Sequence, residues 1–237
     1  MTSIVAWKWL PHRNNGRIIK HLIRTCVISA LLFSQFPQAS GQKIMRVGFD
    51  YALGSQQFFP FNDPVYYRRT NGYKMQLYYP FHPGKWSLEL LVEPSVYIAR
   101  QRLLRPDYVT ESAYGPDYLE LRTIYGAMRT IHEYTVNFGF LPRYNFNSVF
   151  CAFFLISTGP LYVDKTTERL AGGFAFSDVV AIGGGYSAGR IRIELRTGMR
   201  HVSNLGTQYP NKGHNTSTID IGVSYSLKKM AQILIKD

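Results

Sequence analysis

The chain has 237 residues, 46% of them hydrophobic and 15% aromatic, with a formal net charge of +12. That length accommodates one sizeable domain or one small barrel. A basic chain invites nucleic acid as a partner, but the make-up of its first 41 residues predicts export, which weighs against that partner.

Residues 1–41 carry Lys8, Arg13, Arg17, Lys20 and Arg24 and no acidic residue. An apolar stretch follows, from Cys26-Val27-Ile28 through Ala30-Leu31-Leu32-Phe33, and then Ala39-Ser40-Gly41 before Gln42. Basic, apolar and small regions in that order predict a cleaved signal peptide. The apolar core is about ten residues, against the roughly 20 that a membrane anchor needs. Cys26 precedes that core and is not placed as a lipoprotein cysteine. Without the segment, 22 basic residues face 15 acidic ones, a charge of +7. For an exported chain the natural acidic partner is phosphorylated lipid, and no nucleic acid is expected. Cys151 is the one cysteine left, so no intramolecular disulfide is available, and a closed barrel with every strand paired is the expected source of stability.

From residue 42 to 237 no apolar run approaches the length of a spanning helix. Instead, segments of roughly ten residues with a period of two repeat along the chain, rich in Tyr, Phe, Val and Ile. They fall at 44–53, 69–80, 86–100, 132–145, 149–158, 172–184, 188–201 and 216–227. Met45, Val47, Phe49 and Tyr51 alternate with Arg46, Gly48 and Asp50. Trp86, Leu88, Leu90 and Val92 alternate with Ser87, Glu89 and Glu93. The expected fold is all-β, an eight-stranded antiparallel transmembrane β-barrel spanning residues 42–237. A soluble sandwich or an enclosed ligand barrel would also alternate, but each leaves the many outward aromatics unexplained. The stretch 101–131 reads as a long external loop with a short extra strand at 118–125. Gly183-Gly184-Gly185 reads as a turn ending strand six, and 228–237 as a short amphipathic periplasmic tail.

Strand seven carries the chemistry. Side chains alternate between the two faces of a strand. Ile191, Ile193, Leu195, Thr197 and Met199 make the lipid-facing row, and Arg190, Arg192, Glu194, Arg196 and Arg200 the inward one. Continuing the lipid row gives His201 and Ser203. In the last strand Ile219, Ile221, Val223, Tyr225 and Leu227 face outward, and extending that row backward gives Ser217 and Asn215. Neighbouring antiparallel strands then bring His201, Ser203 and Asn215 to one side of the sheet. Such a trio allows acyl transfer: an imidazole oriented by a third group takes the proton of a serine hydroxyl. The Gly- and amide-rich stretch 204–213 offers donors for an oxyanion. A bare His-x-Ser pair is common, and the same residues are also expected simply where a strand leaves the membrane.

The run Arg200-His201-Val202-Ser203-Asn204-Leu205-Gly206, then Pro210-Asn211 and Gly213, resembles the PagL-type lipid A 3-O-deacylases and the related acyloxyacyl-hydrolase-like barrel proteins. Their motif reads roughly H-x-S-N-x-G and then P-N-x-G. Thr158-Gly159-Pro160 and Gly173-Phe174-Ala175-Phe176-Ser177-Asp178 are similar to family segments too. The resemblance implies an outer-membrane barrel of a Gram-negative bacterium. It implies hydrolysis of the ester-linked acyl chain at the 3-position of lipid A, the lipid of lipopolysaccharide, with no metal or other cofactor. Ser203 would be the nucleophile and His201 the base. Asn204, Gly206 and Asn211 match positions near the oxyanion and the active loop. The family's acidic triad member, a Glu, falls on Asn215, which accepts a hydrogen bond but offers no negative charge. Asp220 is the nearest acid in sequence, and its parity points inward. The alternative is a non-catalytic structural or adhesive barrel related to the deacylases. Whether two copies form a homodimer stays open. A transport barrel is disfavoured because side chains fill an eight-stranded interior.

His82, His132 and His214 show no metal-ligand spacing. His214 is expected as a solvated loop residue beside the site. The arginines at 190, 192, 196 and 200 are expected to form salt bridges in the lumen.

Overall fold

The computed structural model describes residues 46–82 and 84–227, so the expected leader 1–41 and the tail 228–237 lie outside the described residues. Eight strands alternate in direction and close into a barrel in chain order. They are β1 (Arg46–Ser55), β2 (Tyr66–His82), β3 (Trp86–Leu103), β4 (Arg129–Asn145), β5 (Phe150–Val163), β6 (Gly173–Ala188), β7 (Ile191–Ser203) and β8 (His214–Ser226). Closure comes from β1 pairing with β8, from Arg46↔Ser226 to Ser55↔Ser217.

The alternation read from the sequence produces two opposite surfaces. Phe49, Met75, Phe140, Ile156, Ile182, Leu195 and Ile221 are exposed on the outside. Apolar residues contiguous around a whole cylinder are suited to hydrocarbon rather than to water. The inward residues are polar and buried. Arg46 and Arg143 each pair with Glu89 and Glu194, at 2.8–3.3 Å. Arg196 meets Asp50, Glu93 and Asp220 at 2.7–3.0 Å, and Lys74 meets Asp220 at 2.6 Å. Arg200 and Arg68 both pair with Glu133. The arginines at 196 and 200 are thus lumen ion-pair partners, as parity requires, whereas Arg190 and Arg192 form no ion pair among the described residues: Arg190 donates to the Tyr225 hydroxyl from the turn and Arg192 to the Ser187 hydroxyl. An inside-out barrel of this kind spans a bilayer.

The two ends differ. Short turns follow His82, Asn145 and Ala188, whereas 56–65, 104–128, 164–172 and 204–213 are long connections at the other end. In membrane barrels the short turns are periplasmic and the long loops external.

Two local expectations are corrected. The connection 104–128 contains no strand at 118–125 but a 3-10 turn at Pro106–Tyr108 and two helices, α1 (Glu111–Tyr114) and α2 (Tyr118–Gly126). Leu119 and Leu121 imitate a period of two, yet the residues that pack are Tyr118, Leu121 and Tyr125. They share one helical face and join Leu103 and Val109 in a cluster. Gly183-Gly184-Gly185 is not a turn either, since β6 runs through to Ala188. A Cβ on Gly183 would come within 2.4 Å of the Phe153 ring and 2.6 Å of the Leu195 carbonyl oxygen, so packing across the sheet accounts for this glycine.

β5 extends to Val163, past Gly159 and Pro160. A proline cannot donate to the ladder. The β4 pairing skips there, passing from Thr135↔Leu161 to Phe138↔Thr158.

Candidate active site

Parity places His201 and Ser203 on the outer face of β7. Arg200 and Val202 are buried, while the two candidates are half-exposed. The β7–β8 register sets His201 directly opposite Asn215. The two are joined by a 2.6 Å bond between Nδ1 and the Asn215 Oδ1. An amide oxygen is an acceptor, so Nδ1 carries the hydrogen and Nε2 is the free basic nitrogen. Ser203 follows on the same row, but no hydrogen bond links its hydroxyl to the His201 ring among the described residues.

One strand to the other side, His201 is the register partner of Asp178 on β6. Phe174, Phe176, Asp178, Val180 and Ile182 form the outward row of that strand, which makes Asp178 a carboxylate in an otherwise apolar line. Its own partner on β5 is Thr158, whose hydroxyl donates to Asp178 Oδ1 at 2.6 Å. Thr158, Asp178, His201 and Asn215 thus form one polar row across four strands of a lipid-facing surface. Asp178 escapes a reading confined to the last two strands, although extending the β6 row by parity finds it. Asp220 lies inward, bonded to Lys74 and Arg196, as its parity requires.

The connection 204–213 folds back over this row. Gly213 has φ +69, a region that favours glycine. A Cβ there would lie 2.5 Å from the Val202 carbonyl oxygen, 3.3 Å from His201 Cε1 and 3.5 Å from Ser203 Cβ. The backbone at Gly213 therefore rests on both candidates.

The β5–β6 connection clamps this loop. Ala171 N–H donates to Pro210 O at 2.8 Å, Gly213 N–H to Arg169 O at 3.0 Å, and Leu170 bridges to Asn211. Arg169 Nε donates to Gly213 O at 2.9 Å, while its Nη1 holds Asp63 at 3.0 Å.

Asn204 is buried and turned into the loop. Its Nδ2 donates to Gln208 O at 2.7 Å and its Oδ1 accepts from Gly206 N–H at 3.2 Å. Those bonds shape the loop and occupy both Asn204 Nδ2 and Gly206 N–H. Asn211 differs: it is exposed, its Nδ2 lies beside Gly206, and its side chain has no hydrogen bond among the described residues.

His214 is not the solvated residue expected from its position after the loop. It opens β8 on the inward parity, is 2% exposed, and bonds Thr167 Oγ1 through Nε2 at 3.0 Å. His132 pairs with Asp164 at 2.9 Å on another part of the barrel. Among the described residues, no three His, Cys, Asp or Glu side chains gather as a metal-ligand set.

The model of the family described as lipid A 3-O-deacylase (PagL) matches residues 50–224. No curated protein matches the chain significantly. Among solved structures, that of the outer membrane enzyme PagL aligns at 11% identity over 76% of this chain and 99% of its own, with a TM-score of 0.44. Neisserial surface protein A aligns at 12% identity over 79% and 99%, with a TM-score of 0.40. The family match runs from β1 into β8 and includes the entire stretch from Thr158 to Asn215, and the chain belongs to the lipid A 3-O-deacylase (PagL) family.

Proposed function

We propose that the protein is an outer-membrane serine hydrolase that removes the ester-linked acyl chain at the 3-position of lipid A. The observation that carries this reading is the bonded His201–Asn215 pair, with Ser203 beside it, on the face of the barrel that meets lipid.

Ser203 Oγ attacks the ester carbonyl as His201 Nε2 takes its proton. The negative charge that develops on the carbonyl oxygen accepts a hydrogen bond from the uncommitted Asn211 Nδ2. The C–O bond to the sugar breaks, and His201 returns the proton to the departing sugar hydroxyl. Water, deprotonated by His201, then releases the fatty acid and restores Ser203. Asn215 holds the imidazole in the tautomer this needs. The negative charge that Asn215 lacks comes from Asp178, the direct neighbour of His201 on the other side. A site on the outer wall receives the acyl ester from within the leaflet, so the lipid need not leave the membrane.

The test is mass spectrometry of lipid A from a Gram-negative host expressing the parent, Ser203→Ala or His201→Ala. Loss of one hydroxyacyl chain with the parent alone is expected. Unaltered lipid A alongside a correctly inserted parent barrel would replace this reading with that of a non-catalytic, structural or adhesive relative.

A further inference from the structure

A second lipid-facing feature lies on the other side of the barrel. On β3 the outward row reads Leu88, Leu90, Val92, Pro94, Val96 and Ile98, then changes abruptly to Arg100 and Arg102 towards the external end. On β2, Arg69 is the direct cross-strand partner of Arg100, and both side chains are exposed. Lys165 adds a fourth cation: its Nζ donates to the backbone oxygen of Thr130 at 2.8 Å, and Thr130 is the partner of Arg100 on β4. None of these four groups forms an ion pair among the described residues. Like charges directly opposite on adjacent strands are destabilising. The lumen arginines at 46, 68, 143, 196 and 200, by contrast, each have a carboxylate partner. A cluster of cations at the upper margin of an apolar wall therefore calls for an anion from outside the chain.

The surface immediately below specifies what kind of anion. A groove of about 540 Å³ crosses the outer face, lined by Tyr73, Met75, Pro94, Val96 and Tyr134 beneath the cations and extending to Phe174 on β6. A free phosphate or a soluble polyanion has no use for that groove. An amphiphile with phosphate at the head and acyl chains beneath fits both parts, and guanidinium groups bind phosphate oxygens in bidentate fashion. In a ring of eight strands β3 is four places from β7, on the opposite side of the cylinder from His201 and Ser203. A lipid whose ester reaches Ser203 cannot also put its phosphates at Arg100.

We propose that the β2–β4 face binds a second phosphorylated glycolipid of the outer leaflet, held by its phosphates at Arg69, Arg100 and Arg102 and by an acyl chain in the groove below, and not hydrolysed. This site is independent of whether Ser203 acts as a nucleophile.

The probe is a diphosphorylated glucosamine disaccharide lipid with amide-linked chains only, titrated into the full-length protein in mild detergent and followed by native mass spectrometry. The parent is expected to take up two equivalents. Arg69→Gln/Arg100→Gln should lose the second, with affinity lowered about 30-fold, while keeping the heat-modifiable gel mobility of a folded barrel. The unaltered protein should show the same loss with the dephosphorylated lipid, an arm that needs no variant. Retention of the second equivalent after phosphate removal, or in the folded Gln variant, would overturn the proposal. Hydrolysis assays on Ser203→Ala report on the active site alone, so failure of either idea is recognisable without the other.

Discussion

Asp178 and His201 stand directly opposite each other on β6 and β7, both on the outer face of the barrel. Cβ atoms of such neighbours lie roughly 5 Å apart, and the two side chains turn to opposite partners, Asp178 to Thr158 and His201 to Asn215. At an effective dielectric near 20, an imidazolium and a carboxylate about 7 Å apart attract by about 2 kcal/mol. Asp178→Asn is therefore expected to lower kcat by about tenfold or more, with little change in barrel stability. Asn215→Glu in the parent should add little, because a charge is already present, but in the Asp178→Asn background it should restore most of the lost rate. The double-mutant cycle in kcat measures this directly. Additive effects of the two substitutions would show that the two side chains do not serve the same imidazole.

Gly213 carries the loop onto the candidate pair. Gly213→Ala must move either the Val202 carbonyl or the loop itself, and the positive φ adds strain. A displacement of about 1 Å at the reacting groups is enough to cost roughly 100-fold in rate. Deacylation should fall by that order while strand content by circular dichroism stays that of the parent. A fully active Gly213→Ala would mean that the loop does not shape the site.

Arg196 is buried between Asp50, Glu93 and Asp220. Arg196→Ala leaves Asp50 with only the Gln76 amide and no ion-pair partner among the described residues, while Glu93 and Asp220 must share the single cation of Lys74. Breaking buried charge pairs on one side costs about 3–5 kcal/mol. Urea unfolding in lipid vesicles, followed by tryptophan fluorescence, should show a loss of that size.

Glu168 sits buried in the external connection between β5 and β6. Gln101 donates to its Oε1 at 2.6 Å, and Arg129 stands 3.6 Å from Oε2, too far for a hydrogen bond. Burial outweighs those partners and raises its carboxyl above the ordinary range. A carboxyl raised in the folded state favours folding below its unfolded value and loses that advantage as pH rises through the folded one. Stability of the parent should therefore decline between those two values, and Glu168→Gln should flatten that decline. Unfolding midpoints at several pH values from 4 to 8 provide the check, and identical slopes for the two proteins would contradict it.

Much of this architecture is legible in the chain because a period of two leaves little freedom once both faces are specified. The rows through Leu195 and Met199 on β7, and through Ile221 and Ile219 on β8, fix which way His201 and Asn215 point by alternation alone. Helix α2 was hidden because Leu119 and Leu121 happen to alternate, and only the tertiary cluster selects the period of Tyr118, Leu121 and Tyr125. Asp178 was hidden for another reason: its significance depends on the register of a hairpin one strand away, which local pattern does not give. The burial of His214 likewise depends on where the turn hands the chain to β8, a boundary that a Gly- and Asn-rich stretch leaves loosely defined.

The arginines and carboxylates that bind one another from Arg46 at the periplasmic end to Arg200 near the external end occupy the interior as a solid, not as a passage. Reconstituted in a planar bilayer, such a cylinder would be electrically silent. With His201 and Ser203 as the proposed reacting pair, the wall rather than the bore does the work, and a solute in the surrounding water encounters only the rim.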